Sequence, residues 1–86
     1  GYDKIISKSV EKEIADLPIN FFKRIDKAIL SLEEEPRPIG CIKLKSSSNL
    51  YRIRVGAYRI VYLINDTLRS VDLRLVEHRK QAYNRK

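Results

Sequence analysis

The chain has 86 residues, of which 43% are hydrophobic, so we expect one small domain, spanning residues 1–86, with a modest core. Its single cysteine and single histidine exclude an internal disulfide and a Cys/His structural metal site. Residues 1–40 carry seven Lys/Arg and eight Asp/Glu, net −1, whereas residues 41–86 carry eleven and three, net +8. This asymmetry indicates that the C-terminal half meets a polyanion.

The composition also sets the expected cellular context. No apolar run reaches the roughly 20 residues that a membrane-spanning helix needs, and no signal-peptide pattern is present. We therefore expect no membrane partner, and the sparing use of cysteine fits a reducing cytoplasm. Because the chain lacks methionine, we expect Gly1 to be a processed or introduced end.

The first forty residues predict a short strand followed by two helices. Residues 2–6 favour the strand, and Ser7 or Ser9 can cap the first helix. Pro18 marks the boundary between the helices, or opens the second one. Apolar residues recur at helical spacing in both helices, giving each a face that can pack on a sheet. They are Val10, Ile14 and Leu17 in the first, and Phe21, Phe22, Ile25, Ala28, Ile29 and Leu32 in the second.

A β-hairpin is predicted next, after a short strand near residues 42–44 and a polar turn at Ser46-Ser47-Ser48-Asn49. Residues 50–62 alternate apolar and polar side chains around Gly56-Ala57, which suits a two-residue turn with glycine first. This register places Arg52, Arg54 and Arg59 on one face, with Arg54 directly opposite Arg59. The tyrosines and isoleucines of the hairpin then face the core. Because opposed like charges destabilise a hairpin, we infer that the arginines bind phosphate.

The last strand is predicted from a second turn at Asn65-Asp66. A two-residue loop there pairs Ile60 with Val71 and Tyr58 with Leu73. It puts Val71, Leu73 and Leu75 on the core face, and Asp72 opposite Arg59 with Arg74 nearby. The expected fold is therefore α+β: an N-terminal helical hairpin on one face of a mainly antiparallel sheet, in the order β-α-α-β-β-β.

The tail that follows this strand brings His78, Arg79 and Tyr83 toward the basic face. RNA can be cut without a metal or cofactor when a 2′-hydroxyl attacks the neighbouring phosphate, given a base, cations and an acid. Arginine supplies the cations, and a tyrosine among arginines has its phenolate favoured. Each residue also has an alternative structural interpretation. Arg52 and Arg54 can be solvated strand residues, Arg59 can pair with Asp72, and His78 and Tyr83 can serve in packing or hydrogen bonding.

The quoted residues together form a familiar pattern. Lys43-Leu44, Tyr51-Arg52-Ile53-Arg54-Val55-Gly56, Tyr58-Arg59-Ile60-Val61-Tyr62, and His78-Arg79 with Tyr83 resemble the RelE toxins of bacterial and archaeal toxin–antitoxin systems. The resemblance runs from about residue 2 to residue 83. It implies the α+β fold predicted above and an endoribonuclease that enters the ribosomal A site and cleaves mRNA there by 2′-hydroxyl attack.

The resemblance also implies roles for individual residues. Arg59 matches the transition-state arginine, Arg79 the arginine near the leaving group, and Tyr83 a proposed base or stacking residue. His78 matches a histidine of some relatives and completes the candidate catalytic set. A glutamate base in the central segment, which certain relatives use, is not expected, because no glutamate lies between Lys43 and Ile64. The candidate RNA-binding residues are Lys43, Lys45, Arg52, Arg54 and Arg74.

The implied partners are a cognate antitoxin, the ribosome with mRNA in its A site, and operator DNA only through the antitoxin. Two alternative functions stay open. One is a ParE-like toxin that inhibits DNA gyrase, and the other is a non-catalytic module that binds RNA or the antitoxin. The spacing from Arg79 to Tyr83 is shorter than in some RelE toxins, so the sequence supports the role of Arg59 more strongly than that of Tyr83.

Overall fold

The computed structural model describes residues 1–45 and 49–84, with side chains up to Gln81. Three helices and five strands follow in the order β1 (Asp3–Ile6), α1 (Lys8–Ala15), α2 (Ile19–Glu34), β2 (Ile42–Lys43), β3 (Leu50–Val55), β4 (Tyr58–Asn65), β5 (Ser70–His78) and α3 (Arg79–Asn84). The sheet order is β1-β5-β4-β3-β2. Strand β1 runs parallel to β5, and the other neighbours are antiparallel. The predicted α+β architecture is confirmed, with the terminal helix α3 added to it.

The helices begin where the sequence offers caps. The hydroxyl of Ser7 accepts the backbone N–H of Val10, which identifies Ser7 as the cap of α1. Pro18 precedes α2 with an extended backbone, and its carbonyl accepts the N–H groups of Phe21 and Phe22. No helix within the described ranges is long and apolar enough to cross a membrane.

The hydrophobic core lies between the two long helices and one face of the sheet. Ile25 and Leu32 of α2 belong to the same buried cluster as Ile60 and Tyr62 of β4, and all four side chains are fully buried. Each such side chain contributes roughly 1.5–3 kcal/mol by leaving water. Burial of a tyrosine requires a partner for its hydroxyl, and the hydroxyl of Tyr62 donates to the carbonyl of Pro36 at 2.7 Å.

The β3–β4 hairpin has the predicted register. Val55 pairs with Tyr58 and Arg54 with Arg59, and the pairing continues to Leu50 opposite Leu63. Gly56 has a φ of 59° at the first position of the turn, which glycine adopts without steric cost. The expectation that the tyrosines of the hairpin face the core is confirmed, since Tyr51, Tyr58 and Tyr62 all pack in or against it.

The predicted β4–β5 register is wrong. The turn spans the four residues 66–69 rather than two, so that Asn65 pairs with Ser70 and Ile64 with Val71. The side chain of Asn65 stabilises this longer turn by accepting the backbone N–H of Leu68 at 2.9 Å. A turn at this point of the chain is therefore present as predicted, but it is longer than the expected two-residue loop.

A β-bulge in β5 changes the register a second time. Tyr62 pairs with Leu73 and Val61 with Leu75, which leaves Arg74 as the extra residue. Beyond the bulge the faces alternate in the opposite phase, so Val76 enters the core and Leu75 does not. Leu75 on the core face and Asp72 opposite Arg59 were therefore wrong predictions: Asp72 pairs with Leu63, and Glu77 lies opposite Arg59.

The loop between β2 and β3 was expected to contain a polar turn at residues 46–49. Residues 46–48 of that prediction lie outside the described part of the chain. The short strand predicted near residues 42–44 is present as β2.

Candidate functional site

The sheet face turned away from α1 and α2 carries three arginines. Arg54 pairs with Arg59 across the hairpin, and Arg52 pairs with Val61, so all of them share this face. Leu75 and Glu77 of β5 pair with Val61 and Arg59 and lie on the same side. We call the surface formed by Arg52, Arg54, Arg59, Val61, Leu75 and Glu77 the arginine face.

Arg59 is held by a buried carboxylate. Its Nε donates to Oε2 of Glu77 at 2.8 Å, and the Glu77 side chain is only 3% exposed while that of Arg59 is 32% exposed. A buried carboxylate needs such a cation, because an unpaired charge in this environment is very costly. Arg59 therefore has a fixed position, with part of its guanidinium open to solvent.

Arg52 and Arg54 complete a concentrated positive field. Within residues 1–45 and 49–81, neither side chain forms a salt bridge. Burial lowers the pKa of Arg52, and the neighbouring charges of Arg54 and Arg59 lower it further. Three like charges on one face repel each other, so an anion placed among them is stabilised.

The other predicted RNA-binding residues are placed less uniformly. Arg74, the extra residue of the bulge, is exposed and its Nε lies 3.3 Å from Oδ2 of Asp72. Lys43 pairs with Tyr51, which puts it on the opposite side of the sheet from the arginine face. Lys45 is exposed in the turn after β2. Only Arg74 of these three therefore adjoins the arginine face through the sheet register.

His78 lies on the helix side of the sheet and caps α3. It pairs with Tyr58, and the two rings meet edge-on with centroids 5.2 Å apart. Its Nδ1 accepts the backbone N–H of Lys80 at 3.1 Å, while Oε1 of Gln81 accepts the backbone N–H of His78 at 3.0 Å. This reciprocal arrangement is a capping box with histidine as the cap. The expectation that His78 joins the basic face is wrong, because the bulge reverses the phase of β5.

The same cap fixes where α3 starts. The backbone N–H of Arg79 donates to the carbonyl of Ala57 at 2.8 Å, which joins the helix to the tip of the β3–β4 hairpin. Arg79 is exposed at the first position of α3, and Tyr83 lies in the same helix. The side chain of Tyr83 lies outside the part that the structure describes, so its predicted role stays a prediction.

A cavity along β5 is lined by His78, Leu75 and Glu77, but by none of the three arginines. Glu13 and Asp16 of α1 line it together with Tyr58, His78 and Gln81. Among the residues searched within the described ranges, no cluster of His, Cys, Asp and Glu is arranged to hold a metal ion.

Sequence reasoning missed three residues that organise this end of the molecule. Glu77 anchors Arg59, Gln81 completes the cap of α3, and Oε1 of Glu13 accepts the backbone N–H of Val76 at 3.1 Å. One signal was available: Leu75-Val76 interrupts the alternation of β5 and is typical of a bulge. His78-x-x-Gln81 also has the spacing of a capping box, although histidine is an unusual cap.

These features define a small α+β protein with helices on one sheet face and an arginine-rich surface on the other. Comparison with known proteins gives its family. Residues 3–83 match the model of the ParE toxin of type II toxin–antitoxin systems. A curated RelE1 toxin from Methanocaldococcus jannaschii is 32% identical over 81 residues, covering 91% of this chain and 90% of that protein. The chain therefore belongs to the RelE/ParE superfamily of toxins.

Solved structures agree with this assignment. The archaeal RelE–RelB complex from Pyrococcus horikoshii contains a chain that is 31% identical, with a TM-score of 0.81 and coverage of 91% of this chain and 94% of that one. The isolated Escherichia coli RelE toxin is 22% identical, with a TM-score of 0.80 and 96% coverage of each chain. The E. coli structure shows the same fold at low identity.

Proposed function

We propose that this toxin is a ribosome-dependent endoribonuclease that cleaves mRNA in the A site. The observation that carries the proposal is the cluster of Arg52, Arg54 and Arg59 on one open sheet face, with Arg59 anchored by Glu77. Arg52 and Arg54, which form no salt bridge among the described residues, lie beside the fixed and partly exposed guanidinium of Arg59. This arrangement suits a bent phosphate backbone at the moment when negative charge accumulates on the phosphoryl oxygens.

The proposed reaction divides between these side chains. The 2′-oxygen loses its proton to a base and bonds to the adjacent phosphorus, and the bond from phosphorus to the 5′-oxygen breaks. The departing 5′-oxygen gains a proton, leaving a 2′,3′-cyclic phosphate and a 5′-hydroxyl. Arg59 stabilises the phosphorane oxygens, and Arg52 and Arg54 hold the flanking backbone. We assign Arg79 to the leaving group, and Tyr83 to the base or to stacking on a nucleobase.

The proposed assignment of His78 differs from that of the arginines. Its Nδ1 is already an acceptor in the α3 cap, and its ring lies beside Tyr58 on the helix side. His78 therefore contributes to the proposed site by fixing the start of the helix that carries Arg79 and Tyr83. The proposed reaction requires no metal or cofactor, because the arginines supply the positive charge.

We further propose that a cognate antitoxin restrains this toxin in the cytoplasm. Relatives from Pyrococcus horikoshii and Methanococcus jannaschii were solved as complexes of RelE with RelB. An acidic antitoxin segment complements the arginine face, and the exposed Ile19 and Leu30 of α2 offer an apolar surface for an antitoxin helix. Operator binding is assigned to the antitoxin.

The test is to incubate the purified protein with an mRNA, with and without programmed ribosomes, and to map new ends by primer extension. Cleavage at the A-site codon only with ribosomes is the expected result. Arg59→Ala should abolish it while the fold persists, and Arg69→Ala, an equal charge loss in the β4–β5 turn, should not. Cleavage of free RNA would contradict ribosome dependence.

The match to the ParE toxin model favours gyrase inhibition as a second candidate. A supercoiling assay with purified gyrase separates the two functions. Inhibited supercoiling without RNA cleavage would establish the gyrase-directed function. RNA binding with a steep salt dependence, but with neither activity, would identify a non-catalytic module.

A further inference from the structure

We propose that Glu77 is a positioning residue that sets the orientation of Arg59 and limits how tightly the arginine face binds RNA. The inference rests on the proposed endoribonuclease function and adds a residue to its site. The contact between Nε of Arg59 and Oε2 of Glu77 is 2.8 Å long and joins adjacent strands.

The first step of the argument concerns orientation. A guanidinium on a flexible side chain samples many rotamers, and a contact at Nε fixes the plane of the group at its inner edge. Within the described residues, no other acceptor hydrogen-bonds to this guanidinium. The terminal nitrogens therefore point away from Glu77 and are available to grip two phosphate oxygens side by side.

The second step concerns access. Glu77 is 3% exposed, so its carboxylate cannot reach a substrate or take a proton from a 2′-hydroxyl. Its effect on RNA passes through the side chains that it contacts, and its hydrogen bond to Nε makes Arg59 such a side chain. A positioning role follows, and a role as the base does not.

The third step concerns charge. Glu77 is the carboxylate directly opposite Arg59, which itself lies opposite Arg54. It offsets part of the repulsion in this cluster and reduces the field that an RNA phosphate meets. Removal of its charge should therefore tighten RNA binding, even where it slows cleavage.

The bulge shows that this placement is built into the fold. If Arg74 paired with Val61 instead of bulging, the register would place Val76 opposite Arg59 and Glu77 opposite Tyr58. Glu13 holds the shifted strand by accepting the N–H of Val76. The bulge and the contact from the Glu13 carboxylate of α1 to β5 thus both place one acidic group beside one arginine.

Two variants separate the effect of the length of the Glu77 side chain from the effect of its charge. Glu77→Asp keeps the charge but shortens the side chain by one methylene, so it cannot keep the contact with Nε. Glu77→Gln keeps the length and an acceptor oxygen but removes the charge. Asp72→Asn is the matched control, since it removes a carboxylate paired with Arg74 and leaves Arg59 untouched.

The experiment measures kcat and KM for ribosome-dependent cleavage, and the affinity for an RNA that carries 2′-deoxy sugar at the cleavage site. For Glu77→Asp we expect kcat to fall at least about tenfold with affinity nearly unchanged, because misplacement of a catalytic group is costly. For Glu77→Gln we expect affinity to rise about threefold or more with a steeper salt dependence, and kcat to fall less. Asp72→Asn should not alter kcat.

A second measurement is independent of cleavage. In an NMR spectrum of the free wild-type protein, the Nε–Hε signal of Arg59 should be sharp and displaced from its random-coil chemical shift. It should broaden or move to the random-coil position in Glu77→Asp, while the thermal midpoint confirms folding. An unchanged Arg59 signal and unchanged kcat would overturn the inference. Absence of cleavage by the wild type, with the Arg59 signal behaving as expected, would instead contradict the proposed function alone.

Discussion

Glu13 of α1 reaches the backbone of β5, where its Oε1 accepts the N–H of Val76 at 3.1 Å. Strand β1 pairs with β5 only as far as Leu73, so among the described residues this edge of β5 has no strand partner at Val76. A side chain takes the place of the missing strand, and it does so two residues after the bulge residue Arg74. The link couples helix packing to the register that puts Glu77 under Arg59.

Glu13→Ala should destabilise the protein by about 1–3 kcal/mol, since it leaves a partly buried N–H without an acceptor. Glu13→Gln should lose much less, because its amide oxygen can accept the same bond. Urea unfolding measures both, and Glu11→Ala, in the exposed part of the same helix, is the control. Equal stability of Glu13→Ala and Glu11→Ala would show that the contact does not stabilise the bulge.

The helix cap makes His78 testable apart from any part in catalysis. His78→Ala should unfold α3 at a cost of about 0.5–2 kcal/mol and reduce cleavage, because Arg79 and Tyr83 lose their placement. Asparagine is a strong helix cap but cannot act as an acid or base near neutral pH. His78→Asn should therefore restore both the helix and most of the activity. Hydrogen exchange of the α3 amides and A-site cleavage are the measurements, and an ordered but inactive His78→Asn would restore a catalytic role.

The hairpin and β5 differ in how far the sequence could predict them. Alternation around Gly56 specifies the β3–β4 register completely, because a slip by one residue would turn the arginines into the core. The register of β5 depends on a four-residue turn and on a bulge. Neither appears in a simple alternation, and the bulge gains its stabilising contact from Glu13, more than sixty positions away in the sequence.

The residues of the candidate site also differ in how far the sequence could predict their placement. The grouping of Arg52, Arg54 and Arg59 follows from local periodicity and was predicted. The partner of Arg59 and the side on which His78 lies depend on the phase of β5 after the bulge, so both predictions were wrong. The parallel pairing of β1 with β5 joins distant parts of the chain, which local patterns do not encode.

A surface cluster around Asp66 predicts the response to acid. The carboxylate accepts two hydrogen bonds from Arg37, at 2.9 and 3.2 Å, and one from the hydroxyl of Tyr2 at 2.7 Å. Hydrogen bonds from Arg37 and then Tyr2 lower the pKa of Asp66 below its usual value. This contribution to stability is present above the unfolded pKa near 4 and disappears as the pH falls through the lower folded pKa.

Asp66→Asn should therefore flatten the fall of the thermal midpoint between about pH 4 and pH 2. The thermal midpoint of Asp66→Asn should differ from that of the wild type more at pH 6 than at pH 2. The control is Asp26→Asn, which changes an exposed carboxyl of α2 that forms no salt bridge within the described residues. If the thermal midpoints of Asp66→Asn and the wild type changed with pH in parallel, the cluster would contribute nothing to the pH dependence of stability.

The opposition of Arg54 to Arg59 predicts a conflict between stability and binding. Directly opposed like charges on neighbouring strands are unfavourable, by up to about 1 kcal/mol. Arg54→Gln removes this repulsion while keeping a side chain of similar length, so it should raise the free energy of unfolding at low ionic strength. The gain should shrink in high salt, which screens exposed charges.

The same variant, Arg54→Gln, should bind RNA more weakly and cleave more slowly. A variant that is more stable at every salt concentration, with undiminished RNA binding, would mean that Arg54 is an ordinary solvated strand residue. Opposite changes in stability and binding would instead show that the protein retains the unfavourable pair for its anionic partner.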